Sequence, residues 1–238
     1  HYQFLMECLD DLKIDIKKLG QELIVRNGDA LEIFKELNNE FGISELWSHQ
    51  ETWNYWTFKR DNKIRKWLEL KNINWNEPAQ NGVIRGLKNR DGWSKSWYDK
   101  MKIDKFLPPK KLNQINLKSE IIPNPKDIGL DNSYSLDFQK GGRKSGLKLL
   151  DSFLEARSKN YSREMSSPLT AFDSCSRLSA HLSFGTLSIK EVFQDTEIRK
   201  KELKDLPKEK KGNRVKSLNT FSGRLRWHCH FIQKLEDE

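Results

Sequence analysis

The apolar positions in the first hundred residues change period several times. Phe4, Leu5, Cys8, Leu9, Leu12 and Ile16 recur at helical spacing, and Gly20 stands where such a helix would stop. Leu23-Ile24-Val25 then reads as a short buried strand, Asn27-Gly28-Asp29 as a turn, and Ala30, Leu31, Phe34 and Leu37 as the apolar face of a second helix. Ile43 to Trp47 predicts another strand, and Trp56 to Leu70 another helix with Ile64, Trp67 and Leu68 on its inner side. Strand and helix alternate, so the fold class expected for residues 1–105 is α/β, a partial parallel-sheet, Rossmann-like amino-terminal domain. No G-x-G-x-x-G follows a strand and no P-loop occurs, which leaves Gly28-Asp29 as a turn rather than a phosphate cradle.

The periodicity fades over residues 106–145, where Pro108-Pro109, Pro123, Pro125, Gly129, Gly141 and Gly142 interrupt any regular element. This is an interdomain linker, and Leu130 and Phe138 are expected to pack across the junction and keep it ordered. Residues 146–238 are helical in pattern to the end, and no internal repeat is visible. The chain opens on His1 and stops just after a helical pattern, so it reads as a fragment cut at both ends.

Composition narrows the class. The 238 residues are 36% hydrophobic, enough for a real core, and no apolar run approaches the roughly 18 residues needed to span a bilayer. Cys8, Cys175 and Cys229 are few and scattered, giving neither a disulfide framework nor metal-ligand spacing, so a reducing cytoplasm and no metal are expected. Forty-three basic against 34 acidic residues leave a net charge of +9, which permits nucleic-acid binding without requiring it. The densest basic run, Arg199 to Lys216, is read as solvated surface.

The most suggestive chemistry lies in Ser174-Cys175-Ser176-Arg177-Leu178-Ser179, where small hydroxyl residues precede a helical pattern carried by Leu178, Leu182 and Leu187. Exposed N–H groups at a helix start, supplemented by hydroxyls, suit an anion such as phosphate. A plain helix cap needs no ligand, and both readings stand on the residues alone. The same holds for Tyr161 and Trp227: each is a core aromatic or a ligand-facing one.

A wider series frames these residues. Gly146, Leu149, Leu150, Phe153, Leu154, Arg157, Tyr161 and Pro168 lie upstream, and Arg224-Leu225-Arg226-Trp227-His228-Cys229-His230-Phe231 downstream. With Leu46 to Asp61 and Gln80 to Met101, the series resembles the photolyase/cryptochrome family. The resemblance implies an amino-terminal antenna domain, whose pigment is of open type because the Asn-Glu pair of folate-type sites is lacking around Trp53 to Asp61. It also implies the first part of an all-α FAD-binding domain, in which Tyr161, Cys175, Ser176, Arg177, Leu178 and Ser179 touch the flavin's phosphates and ribityl chain.

The activity implied is light-driven repair of pyrimidine dimers in damaged DNA by a monomer, through electron transfer from reduced FAD, with Trp227 stacked on the lesion bases. Arg224 stands where dimer-repairing relatives generally carry a Glu, and His228 where they carry an Arg, so both join Trp227 as candidate catalytic residues. An Arg donates but cannot accept, so Arg224 and His228 favour a first alternative, a blue-light photoreceptor without repair, while the basic charge balance alone favours a second, a nucleic-acid-binding protein without flavin. His228 and His230 are candidate proton donors, or solvated surface histidines. Trp47, Trp53, Trp56, Trp67, Trp93 and Trp97 are expected mostly in the core, and the family's electron-relay tryptophans beyond residue 238. Alone, such a fragment is expected to bind FAD weakly.

Overall fold

The computed structural model describes residues 1–131 and 138–237. Within them, helix α1 (Tyr2–Lys18) is followed by α2 (Ala30–Phe41), β1 (Glu45–Trp47), α3 (Tyr55–Leu70), β2 (Asn74–Asn76) and α4 (Trp93–Lys102). The carboxy-terminal half contains α5 (Arg143–Glu155), the short helices α6 (Tyr161–Glu164), α7 (Ala171–Ser174) and α8 (Ser179–Ser183), then α9 (Ile189–Lys204), α10 (Lys208–Lys211) and α11 (Arg214–Asp237).

The β–α–β unit is present and its strands are parallel, with Glu45 opposite Asn74, Leu46 opposite Trp75 and Trp47 opposite Asn76. Its helices begin on side-chain caps. Asp29 accepts the Leu31 and Glu32 N–H groups at α2, and Asn54 with Thr57 forms a capping box at α3. The layer beneath is small: Ile64, Trp67, Leu68 and Ile73 are buried, with Leu31, Phe34, Ile43, Leu46 and Trp75 against them. Leu23 to Val25 is not a buried strand. It is half-buried and outside the ladder, held by Val25 N–H to Ser119 Oγ at 2.9 Å and Glu120 N–H to the Val25 carbonyl at 3.0 Å.

The larger core crosses the expected boundary at residue 105. Val83, Trp93, Trp97 and Met101 are buried together with Leu150, Phe153, Tyr161, Leu178, Phe193, Leu218, Phe221, Leu225 and Cys229. Of the tryptophans expected inside, Trp67, Trp93 and Trp97 are buried, whereas Trp47, Trp53 and Trp56 are exposed. Leu130 and Phe138 are exposed as well and do not bridge the junction; residues 132–137 of the linker lie outside the described residues. The linker instead lies along the α1–α2 connection, through Leu112 N–H to the Leu19 carbonyl at 2.7 Å and Asn27 N–H to Glu120 at 2.9 Å.

Helix α1 also packs on the helical half. Its Phe4 ring meets His181 and Phe184 at 5.2 and 5.0 Å. Glu7, Cys8 and Asp11 accept the N–H groups of Gly141, Gly142 and Lys144, so one helix caps the start of α5, which has no side-chain cap of its own. Gly141 is needed there because a Cβ would overlap the Phe4 carbonyl.

A second seam joins residues 82–84 to α11. Gly82 donates its N–H to Cys229 Sγ and accepts from Trp93 Nε1 at 3.1 Å, and a Cβ at Gly82 would overlap the Trp97 indole. The Gln233 amide meets both backbone groups of Ile84, accepting its N–H at 2.7 Å and donating to its carbonyl at 2.9 Å.

Gln233→Ala removes both hydrogen bonds to the part-buried backbone of Ile84 and is expected to cost about 0.5–1.5 kcal/mol for each, read as a lower midpoint of urea unfolding. Burial lowers the His181 pKa below the ordinary histidine value of 6.5, and does the same to His228. The unfolded chain therefore takes up these protons first, so stability is full above pH 6.5 and is lost as pH falls through the folded values. The melting temperature should drop between pH 7.5 and 5.5, and His181→Asn should flatten that slope.

Candidate functional site

After α7 the backbone extends at Cys175, then places Arg177 in the left-handed region at φ 60° and Leu178 at φ −89°, ψ −2°. A left-handed residue followed by a right-handed one turns successive N–H groups to the same side and makes a concave anion-binding nest. The N–H groups of Ser176, Arg177, Leu178 and Ser179 donate to no acceptor among the described residues. A non-glycine residue in this conformation costs on the order of 1–2 kcal/mol, so surrounding contacts must hold it.

Those contacts are specific. Arg157 donates from Nη1 to the Cys175 carbonyl, from Nη2 to the carbonyls of Leu149 at 2.8 Å and Ser176 at 3.3 Å, and from Nε to Ser152 Oγ at 3.1 Å. Gln139 Nε2 donates to the Arg177 carbonyl at 2.7 Å, Ser174 Oγ donates to Glu164, and the Arg177 guanidinium lies 3.7 Å from the Phe172 ring centre. Burial and the neighbouring Arg177 charge pull the Arg157 pKa below the usual arginine value, so two cations flank one loop.

The loop-to-helix corner differs from the expectation. Helix α8 has five residues, too short for a substantial dipole, and Leu178 offers no side-chain cap. The serine that caps a helix is Ser188, whose Oγ accepts the Glu191 N–H at 3.0 Å at the start of α9. Ser176 is half-buried and Ser179 exposed, and neither hydroxyl has a partner among the described residues. Leu178 is fully buried and anchors the loop.

Tyr161 packs edge-on against Phe153 and Phe221, with ring centres at 5.4 and 5.8 Å. Burial pushes its phenol up to about 12; Cys175 adds to the shift and Arg224 opposes it, which puts the three in one neighbourhood. Burial raises the Cys175 thiol as well, keeping it protonated. On α11, Leu218, Phe221, Leu225 and Cys229 face the core, while Arg224 and Trp227 lie outside with the guanidinium 4.7 Å from the indole centre. Trp227 is 46% exposed, so it is not a core residue. It borders a groove of about 490 Å³ with Arg90, Trp93, Ser94, Arg226, His230 and Phe231.

His228 lies apart from this group. It borders a cavity of about 760 Å³ between the two halves, near His49, Glu51, Trp53, Phe184 and Ser188. It is not a solvated surface histidine: its Nδ1 is enclosed without a partner among the described residues, and burial lowers its pKa, so it is neutral at pH 7. His230 packs against Trp93 at 5.9 Å. Among the described residues no three His, Cys, Asp or Glu side chains converge as a metal site. The sequence pattern gave no sign of the Arg157 and Gln139 contacts, because both act on carbonyl groups distant along the chain.

Residues 1–86 match the family model described as DNA photolyase. Over 49 residues the chain is 43% identical to a cryptochrome DASH, chloroplastic/mitochondrial, of Arabidopsis thaliana, a match covering 21% of this chain and 9% of that protein. Its fold is similar to a bacterial class III photolyase from Agrobacterium tumefaciens, with TM-score 0.77 and 20% identity over 98% of this chain and 49% of the other. It is equally similar to a Synechocystis sp. PCC6803 cryptochrome, with TM-score 0.77 and 19% identity over 99% of this chain and 50% of the other. The chain thus spans about half the length of these solved proteins. No helix among the described residues is long and apolar enough to cross a membrane. The first 86 residues are thus similar in sequence to the DNA photolyase family, and the described length has the fold of a solved photolyase and a solved cryptochrome.

Proposed function

We propose that the carboxy-terminal half forms one wall of an FAD site and that the protein uses blue light to repair pyrimidine dimers in DNA. The observation that carries this reading is the Cys175–Ser179 nest, with unpaired N–H groups, two unpaired serine hydroxyls and the flanking Arg157 and Arg177 charges. This donor set fits a pyrophosphate, with the two flanking arginines set against the nearby carboxylates of Asp173 and Glu164. Bound in its reduced form, FAD supplies the light-excited electron for dimer splitting.

The chain's own residues have separable tasks. The nest binds the phosphates through N–H groups fixed before the ligand arrives. Tyr161 stays protonated across the working pH range and so keeps its O–H available as a donor. The exposed face of Trp227 offers a stacking surface for an extruded pyrimidine, and Arg224 beside it supplies a cation for the DNA backbone or for a developing negative charge. The cavity between the halves, bordered by Trp53 and His228, is where we place an antenna pigment.

A second reading, a blue-light receptor without repair, is favoured by Arg224. Its donors cannot take the N–H groups of a pyrimidine as a Glu would. The cavity position of His228, neutral by burial, also removes it as a proton donor beside Trp227.

Ser176→Ala combined with Ser179→Ala should weaken flavin retention on the order of tenfold, the worth of two modest hydrogen bonds, as read by flavin absorbance after gel filtration. Unchanged retention would show that these hydroxyls only meet solvent. With FAD-loaded protein and irradiated DNA, blue light should remove dimers. Trp227→Ala should weaken binding of dimer-containing DNA by roughly tenfold, since stacking is worth about 1–3 kcal/mol, while flavin absorbance stays the same. Intact flavin photoreduction without dimer loss would select the receptor.

A further inference from the structure

We propose that Arg157 is the positioning residue that gives the Cys175–Ser179 loop its anion-binding shape, acting through carbonyl groups and not on the ligand. The proposal rests on the reading that this loop holds phosphate. Its physical basis is the planar trans peptide, in which each C=O points opposite the N–H of the next residue. Arg157 holds the carbonyls of Cys175 and Ser176, and Gln139 holds that of Arg177. The N–H groups of the same three peptide planes belong to Ser176, Arg177 and Leu178, the groups left without an acceptor among the described residues. Pinning the carbonyls on one side therefore presents the amides on the other.

The fork of the guanidinium is what the task requires. It spans two successive loop carbonyls and reaches back to Leu149 and Ser152 at the end of α5, tying the loop to a helix whose Leu150 and Phe153 are fully buried. A lysine places one point charge and cannot hold divergent carbonyls at once. The left-handed Arg177 is explained by the same contacts, because the peptides on both sides of it are clamped, one by Arg157 and the other by Gln139. Arg157 spends its N–H groups on these acceptors, so its charge reinforces the nest from behind.

The test uses the full 238-residue chain with inorganic pyrophosphate as the probe, read by backbone amide chemical shifts and by titration calorimetry. In the unaltered chain, pyrophosphate should shift the amide signals of Ser176, Arg177 and Leu178. Arg157→Lys, which keeps the charge, should lose those shifts and at least tenfold in affinity, with the fold retained. Gln139→Ala, which removes one clamp and no charge, should lose about threefold, and it serves as the test if Arg157→Lys does not fold. Absence of amide shifts in the unaltered chain would overturn the phosphate reading itself. Shifts and affinity preserved in Arg157→Lys, or in Gln139→Ala should that be the variant tested, would overturn the positioning role while leaving the phosphate reading standing.

Discussion

One buried amide fixes how the segment after the sheet meets the last helix. Gln233 is fully enclosed, and a buried side-chain amide is tolerated only if its donor and acceptor are both satisfied. It meets that condition by pairing with the N–H and C=O of Ile84, as a neighbouring strand would. The pairing fixes the register of the segment after the sheet against the last helix, and Gly82 follows from it. With the backbone this close to α11, only glycine fits beneath Trp97 while bonding to both Cys229 and Trp93. Because α11 also carries Arg224 and Trp227 outward, the seam that joins the halves also sets where those side chains stand.

The candidate phosphate loop depends on a different kind of constraint. A left-handed Arg177 would relax if the chain were free, yet its neighbours leave little freedom: Leu178 is buried below it, and the carbonyls on either side are taken by Arg157 and Gln139. The strain is small beside the sum of these contacts, each hydrogen bond to a charged donor being worth about 1.5–3 kcal/mol. Preorganisation of this kind lets a binding loop present donors without ordering them on each encounter. Trp227 and Arg224 contrast with it, since they are held mainly by one helix and by each other.

Local signals made much of this legible. The alternation of Ile43 to Trp47 with Ile64, Trp67 and Leu68 predicts the β–α–β unit, and the structure has it with parallel strands. Leu23 to Val25 reads as a strand on hydrophobicity alone, but its partner is the irregular segment around Ser119, where one side chain and the Glu120 N–H satisfy Val25 outside any ladder. The packing of α1 on the helical half was hidden because its helical period says which face is apolar but not what covers it. Within the candidate site, the Ser-rich segment, Tyr161, Arg224 and Trp227 are legible as residue types. Arg157's role is not, since it lies in carbonyl groups that every residue possesses, selected only by the tertiary path.

The contact between Arg224 and Trp227 bears on whether the indole can serve a base at all. The guanidinium stands 4.7 Å from the ring centre, on the surface where a pyrimidine would lie. An exposed cation–π pair is worth about 0.5–1 kcal/mol, whereas a base stacked on an aromatic side chain is worth about 1–3 kcal/mol. Under the proposed repair reading a base would displace the guanidinium at modest cost, since the stronger stacking would replace the weaker pair. Under that reading the Arg224 contact covers Trp227 without closing it to a stacked base. The contrast between repair and signalling then rests on what Arg224 cannot do, which is accept a hydrogen bond from the lesion, and not on steric exclusion.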